Sequence, residues 1–173
     1  MINFPNRKKF SSLVSLGFFL VFASPIAFSE ESLTAPTFSS PQELQIFLKE
    51  NFKYKKDKKL FGVEDYWQTA EEFLAHLQGD CEDYAVFADE ELTKMGYASF
   101  LLNIYGGQEL AHTVTIFQDG KKFGVFNEAK LQYFEADTLE QVLALYQPRA
   151  KWAAEVKPEN HRAIITKRYK RVL

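Results

Sequence analysis

Cys81 is the only cysteine among 173 residues, and it stands in the run Gly79-Asp80-Cys81-Glu82-Asp83-Tyr84-Ala85. A lone thiol cannot close an internal disulfide or build a multi-cysteine metal site. It can act as a nucleophile, but only as thiolate, and a free cysteine titrates near about 8.5. Three kinds of neighbour would lower that barrier. Unpaired N–H groups at a helix start favour negative charge. An imidazole can take the proton, and an amide or carboxylate beside it fixes the ring. Asp80 with Asp83 three residues on reads as an N-cap and N3 pair, which places Cys81 at N1 of a helix. His112 and Asn127 follow in two segments that flank a turn. The backbone N–H of Cys81 is the natural oxyanion donor.

Elements must hold these groups. Cys81, Ala85, Ala88, Leu92 and Met95 recur with helical spacing and form one stripe, and Gly96 ends it. Upstream, Ser40-Pro41-Gln42-Glu43 opens a helix with Leu44, Phe47 and Leu48 on one face. Thr69-Ala70-Glu71-Glu72 opens another, carrying Phe73, Leu74 and Leu77 and stopping at Gly79. The lysine-rich stretch from Tyr54 to Leu60 reads as a solvated loop. After Gly96 the period becomes two. Residues 97–105, 111–118 and 121–127 read as strands, the last two around Asp119-Gly120, a strong hairpin signal. A short helix from Thr138 to about Tyr146 and strands at 152–156 and 163–169 complete the chain. Helices first and strands later predict an α+β fold with an antiparallel sheet.

Taking Asp119-Gly120 as a two-residue turn pairs Ile116 with Phe123, Val114 with Val125 and His112 with Asn127. These residues share one face, apolar except for the polar pair at its end. The Cys81 helix is the expected lid on that face, so that sulfur, imidazole and carboxamide converge at one edge of the sheet.

Residues 1–29 read as a secretory signal peptide. Arg7, Lys8 and Lys9 precede the apolar run Leu13 to Phe22, and Ala27-Phe28-Ser29 offers small residues at a cleavage site. Residues 30–39 read as a flexible lead-in, and 40–173 as a single domain. The chain is expected to be exported, periplasmic or secreted, with no stable membrane span once the signal is removed; a retained anchor is the alternative. With a net charge of −2 and 16% aromatic residues, nucleic acid is not an expected partner and disorder is excluded.

Tyr66-Trp67-Gln68-Thr69, the Gly79 to Ala85 run, His112-Thr113-Val114 and Gly124-Val125-Phe126-Asn127 together resemble the bacterial transglutaminase-like cysteine proteinases. The resemblance spans about residues 60 to 130. It implies a papain-like, transglutaminase-like core and a Cys-His-Asp triad, with Cys81 as nucleophile and His112 as base. Asn127 stands where the family usually has Asp, as in papain, which removes a charge that would stabilise imidazolium. Some calcium-dependent members, periplasmic proteases that cleave surface adhesins, bind calcium through acids flanking the nucleophile, and Asp80, Glu82 and Asp83 match in type. Ordinary helix-start chemistry explains the same acids. No cofactor is required on this reading, and calcium stays open. The family's Trp corresponds to Trp67, either beside the cleft or packed in the core.

Blander readings stand beside each of these. Cys81 is otherwise a small buried hydrophobe and His112 a satisfied core histidine. His76 and His161 are expected on the surface. A zinc site from Cys81, His76 and His112 lacks paired ligand spacing. Lys167, Arg168, Lys170 and Arg171 read as a solvated strand edge. Three functions remain: an exported thiol hydrolase acting on an amide in a protein or peptide substrate, a transglutaminase or deamidase-type acyl transfer at the same site, and a non-catalytic envelope binding module with a degenerate site. Oligomeric state is not legible.

Overall fold

The computed structural model describes residues 35–106, 112–146 and 150–170; the expected signal segment 1–29 lies outside them. The described residues belong to one compact unit, Ser32–Leu173. In chain order the elements are α1 (Pro41–Asn51), β1 (Lys53–Tyr54), α2 (Asp57–Leu60), α3 (Ala70–His76), β2 (Gln78–Gly79), α4 (Cys81–Lys94), β3 (Ser99–Tyr105), β4 (His112–Asp119), β5 (Lys122–Asn127), β6 (Lys130–Glu135), α5 (Leu139–Tyr146), β7 (Trp152–Glu159) and β8 (Arg162–Lys170). The fold is α+β. Six antiparallel strands run in the order β6-β5-β4-β3-β7-β8, and β1 and β2 form a separate parallel pair. No described helix is long and apolar enough to cross a membrane.

The helix starts follow their caps. Ser40 accepts the N–H of Glu43 ahead of α1, and Thr69 and Glu72 satisfy each other's backbone ahead of α3. The helices then bury aromatic residues together. Phe52 of the α1 C-cap stacks on Phe73 at 4.3 Å, and Phe73 meets Tyr84 edge-on at 4.9 Å. Leu44, Leu48, Phe87, Ala88 and Leu92 join them against Phe117 and Phe126 of the sheet. A fully buried ring contributes about 1.5–3 kcal/mol, against about 0–1 kcal/mol for an exposed ion pair. This aromatic cluster therefore sets how α4 lies on the sheet. Gly124 is part of the fit, since a Cβ there would stand 2.1 Å from the Phe117 ring.

Several sequence expectations need correction. The β4–β5 turn centres on Gly120-Lys121, with Asp119 opposite Lys122, Ile116 opposite Val125 and Phe117 opposite Gly124. Gly120 has φ +61° at the first central position, the position that a type II′ turn reserves for glycine. The ladder slips relative to the expected one, yet His112 and Asn127 stay on the same face. That face is not the one α4 covers. Val114, Ile116 and Val125 pack with Val142 of α5, whereas α4 lies over Thr115 and Phe117, with the Thr115 hydroxyl donating to Ala85 O at 2.7 Å. The lysine-rich stretch is not wholly solvated, because α2 forms inside it and buries Asp57. The lead-in is packed at its end, where Phe38 lies 5.1 Å from Phe47. Strand β6 was not expected.

Candidate active site

Cys81 occupies N1 of α4, with Asp80 as N-cap. Asp83 Oδ2 accepts the N–H of Asp80 at 3.0 Å, so the helix start is braced by its own third residue. The same carboxylate is held from outside the helix. Gln68 donates its backbone N–H to Asp83 Oδ1 at 2.8 Å and its side-chain amide to Oδ2 at 2.7 Å, and Gln68 Oε1 meets His76 Nδ1. The stripe expected on α4 is buried at Ala85, Ala88 and Leu92, and Cys81 at its head remains partly exposed.

The thiol itself donates to Glu82 Oε2 at 3.1 Å. Burial pushes its pKa up. The backbone of Thr113 and the Glu82 carboxyl oppose the rise, the charge of Asp80 adds to it, and the Thr113 hydroxyl opposes it again. The sulfur thus rests against Thr113, the second residue of β4. Thr113 in turn donates from its hydroxyl to Asn103 Oδ1 at 2.9 Å.

His112 is the residue before Thr113. Its Nε2 lies 2.8 Å from Asn127 Oδ1, which leaves Nδ1 as the other ring nitrogen. The β4–β5 ladder ends at Thr115 opposite Phe126, so the His112–Asn127 pair sits beyond the last paired residues. Two of the three expected groups are therefore joined directly. The third, the sulfur, lies near Thr113, the next residue of the same strand, whose side chain is on the α4 face of β4 and so opposite to that of His112. Among the described residues no hydrogen bond links sulfur to imidazole.

Acids crowd the start of α4. Asp57, Asp80 and Asp83 bring one oxygen each within 4.8 Å of one another, as do Asp57, Asp65 and Glu82. None of these five forms an ion pair among the described residues. Burial raises Asp57 to about 6 against the pull of the Tyr66 N–H, with the charges of Asp80 and Asp65 adding to the rise. Burial likewise raises Asp83 to about 7 despite its bonds to Gln68. Glu82 is pushed far up by burial and by the thiol beside it. Asp57 is 1% exposed, and its Oδ1 and that of Asp80 have no hydrogen-bond partner. Clustered carboxylates with no cation among them, two of whose oxygens lack any donor, suit a hard divalent cation that takes oxygen ligands. The histidine-based zinc alternative does not assemble, since no His belongs to these groups.

Three residues near the thiol have no role readable from the sequence. Asp57 reaches the acids from α2, Thr113 touches the sulfur, and Tyr54 lies in the field of Cys81, Asp80 and Glu82, where burial first and these charges next raise its hydroxyl pKa. The sequence marks them only by position: Asp57 breaks the lysine run, and Thr113 stands in the His112-Thr113-Val114 motif. Trp67, expected at the cleft or in the core, is 3% exposed and packs with Ala85, Val86, Leu101, Ala154 and Val156, its indole N–H donating to Asp65 at 3.2 Å. His76 is exposed, as expected. His161 is not a plain surface residue: it stacks on Tyr66 at 4.5 Å, with Nδ1 3.0 Å from Trp67 O.

Comparison with known proteins adds the family. Among solved structures, Legionella pneumophila LapG matches at 18% identity with a TM-score of 0.46, covering 72% of this chain and 66% of that one. Its calcium-bound form matches at 19% identity and 0.46, covering 76% and 71%. Its EGTA-treated form matches at 18% and 0.46, covering 72% and 69%. The chain thus spans just under two thirds of the first of these. Comparison with curated proteins gives no match. The family model of the bacterial transglutaminase-like cysteine proteinases matches residues 28–120, a span that holds Cys81 and His112, stops short of Asn127, and exceeds half of the 173 residues. The chain belongs to the bacterial transglutaminase-like cysteine proteinases.

Proposed function

We propose that this chain is an exported, periplasmic or secreted, thiol-dependent hydrolase that cleaves an amide in a protein or peptide substrate through a Cys81-His112-Asn127 triad. The observation that carries the reading is the 2.8 Å bond from His112 Nε2 to Asn127 Oδ1, one residue along β4 from Thr113, whose backbone and hydroxyl favour the thiolate. Asn127 fixes the ring and leaves Nδ1 to accept the thiol proton. The thiolate attacks the carbonyl, and the N–H of Cys81 receives the oxyanion at the helix start. His112 then returns the proton to the leaving amine. Water, with His112 again as base, hydrolyses the thioester. Because His112 and Thr113 point to opposite faces of β4, the imidazole must reach the sulfur around the open start of the strand when substrate binds, the pair tightening in the Michaelis complex.

The test is incubation of the chain lacking residues 1–29 with a proteome-derived peptide mixture, read by mass spectrometry beside Cys81→Ala. New termini that vanish in the variant are expected. A glutamine peptide with an added amine separates hydrolysis from transfer. One observation favours a non-catalytic binding module instead: burial raises the thiol pKa, and Glu82 occupies the thiol proton. Absence of both turnover and a Cys81 acyl adduct decides for that module.

Calcium fits the acidic group. Asp57 with Asp80 and Asp83, or Asp57 with Asp65 and Glu82, would hold it, and its charge would offset the carboxylates that oppose a thiolate at Cys81. A readout independent of activity follows from the carboxyl pKa values. In the metal-free fold Asp57 and Asp83 titrate near about 6 and about 7, above the unfolded value of about 3.9. An acid raised in this way favours the fold when protonated, so its stabilisation is full below about pH 4 and is lost as pH rises through 6 to 7. Thermal melts in chelator are expected to fall between pH 5 and 8. Calcium at a hundredfold excess over its Kd is expected to restore about 2.7 kcal/mol at pH 8. Melts indifferent to calcium would remove the ion from the account.

A further inference from the structure

Beyond the start of α4, on the sheet face that α4 covers, the side chains change character. Tyr105 and Trp152 are cross-strand partners on β3 and β7, and their rings stack at 3.6 Å with an interplanar angle of 6°. Arg168 of β8 lays its guanidinium over the Trp152 ring, 5.1 Å from its centroid. Both rings are partly exposed and Arg168 is exposed. The ladder Tyr105, Trp152, Arg168 is thus a shelf across three strands, in contact with solvent. The solvated edge expected from the C-terminal cations holds here a cation fixed on an aromatic face.

Register ties this shelf to the thiol. Thr113, Asn103, Ala154 and Arg168 are successive Cα partners across β4, β3, β7 and β8. Thr113 is the residue against the sulfur. Three strand spacings of about 4.8 Å place the Arg168 backbone about 14 Å from that of Thr113, which is the reach of about four residues of extended peptide. Stacking engages the guanidinium face and leaves the in-plane N–H fork for a carboxylate. Among the described residues Arg168 makes no ion pair. The start of α4 beside the thiol is acidic. The site is therefore bipolar, and an acidic side chain of a bound chain is repelled from the α4 start and attracted to Arg168.

We infer that Tyr105, Trp152 and Arg168 form a substrate subsite that takes an aspartate or glutamate side chain about four residues from the scissile bond of an extended polypeptide. This rests on the thiol-hydrolase reading above. The aromatic pair supports the backbone and the stem of the acid, and Arg168 binds its carboxylate in the plane of the fork.

The experiment is a cleavage profile on a proteome-derived peptide library with the wild-type chain, Arg168→Gln and Arg168→Lys. Wild type is expected to enrich Asp and Glu three to five residues from the cut. For one matched pair of peptides, acidic and amide at that position, Arg168→Gln is expected to lower the preference in kcat/KM about tenfold or more, chiefly through KM. Arg168→Lys keeps the charge without the fork and is expected to fall between. Alkylation of Cys81 by iodoacetamide stays unchanged in both. Cleavage with no acidic enrichment, or a preference that survives Arg168→Gln, overturns the subsite and leaves the hydrolase reading standing. No Cys81-dependent cleavage by the wild type overturns both.

Discussion

Replacing His112 by alanine is expected to lower kcat/KM on a cleavable peptide about a thousandfold. A positioned general base contributes about 10²–10⁴, and here little else generates the thiolate. Burial raises the Cys81 pKa, and the charge of Asp80 raises it further. The helix start and the Thr113 backbone stabilise the anion but cannot carry off its proton. Asn127→Ala is expected to cost less, about ten- to a hundredfold, because it frees the ring without removing it. Asn127→Asp puts back the charge that the family usually has and is expected to hold imidazolium more firmly. Steady-state rates on one peptide, with far-UV spectra to establish that each variant is folded, check the series. A loss below about threefold in His112→Ala excludes the imidazole as base.

Gly79→Ala is the second large effect, and it acts through the helix start. A Cβ at Gly79 would lie 2.2 Å from Asp83 Oδ2 and 2.7 Å from both Asp83 Cβ and Gln68 Nε2. Gln68 Nε2 donates to Asp83 Oδ2 from outside the helix, and the same Oδ2 accepts the Asp80 N–H at the helix start. Neither can swing away, since Gln68 is 1% and Asp83 0% exposed. Overpacking costs about 1–3 kcal/mol, and a broken buried hydrogen bond adds about 1 kcal/mol or more. A total of about 2–4 kcal/mol lowers Tm by roughly 5–15 °C at this size. Displacing the Cys81 backbone by even about 1 Å is expected to cost a further hundredfold in rate. A thermal melt with an unchanged midpoint would show that the brace is dispensable.

Much of the machinery was legible because local chemistry announces it. Capping residues gave the starts of α1, α3 and α4, and with the last of these the place of Cys81. His112 and Asn127 meet through their side chains but not as the expected register partners, because the hairpin turns at Gly120-Lys121. A ladder slipped by two in its pairing sum keeps every side chain on its face. The face under α4 is not legible in the sequence, for a plain reason. β4 is buried on both sides, Thr113, Thr115 and Phe117 on one and Val114 and Ile116 on the other, and alternation says nothing about which side a helix takes. Strand β6 pairs at an edge with residues only half buried, so its apolar period is weak. The α2 helix is one turn long, and its first residue, Asp57, is buried and accepts the Tyr66 N–H. The sequence marks Asp57 only as a break in the lysine run, since its place among the acids depends on residues 23 and 26 positions away.

The central claim is that the Cys81 thiol delivers its proton to His112, and the rate of Cys81 alkylation by iodoacetamide at pH 7 tests it most directly. Wild type is expected to react many times faster than a free cysteine, and His112→Ala to fall to or below that reference, as burial alone dictates. Slow alkylation in the wild type, unchanged when the imidazole is removed, would contradict it.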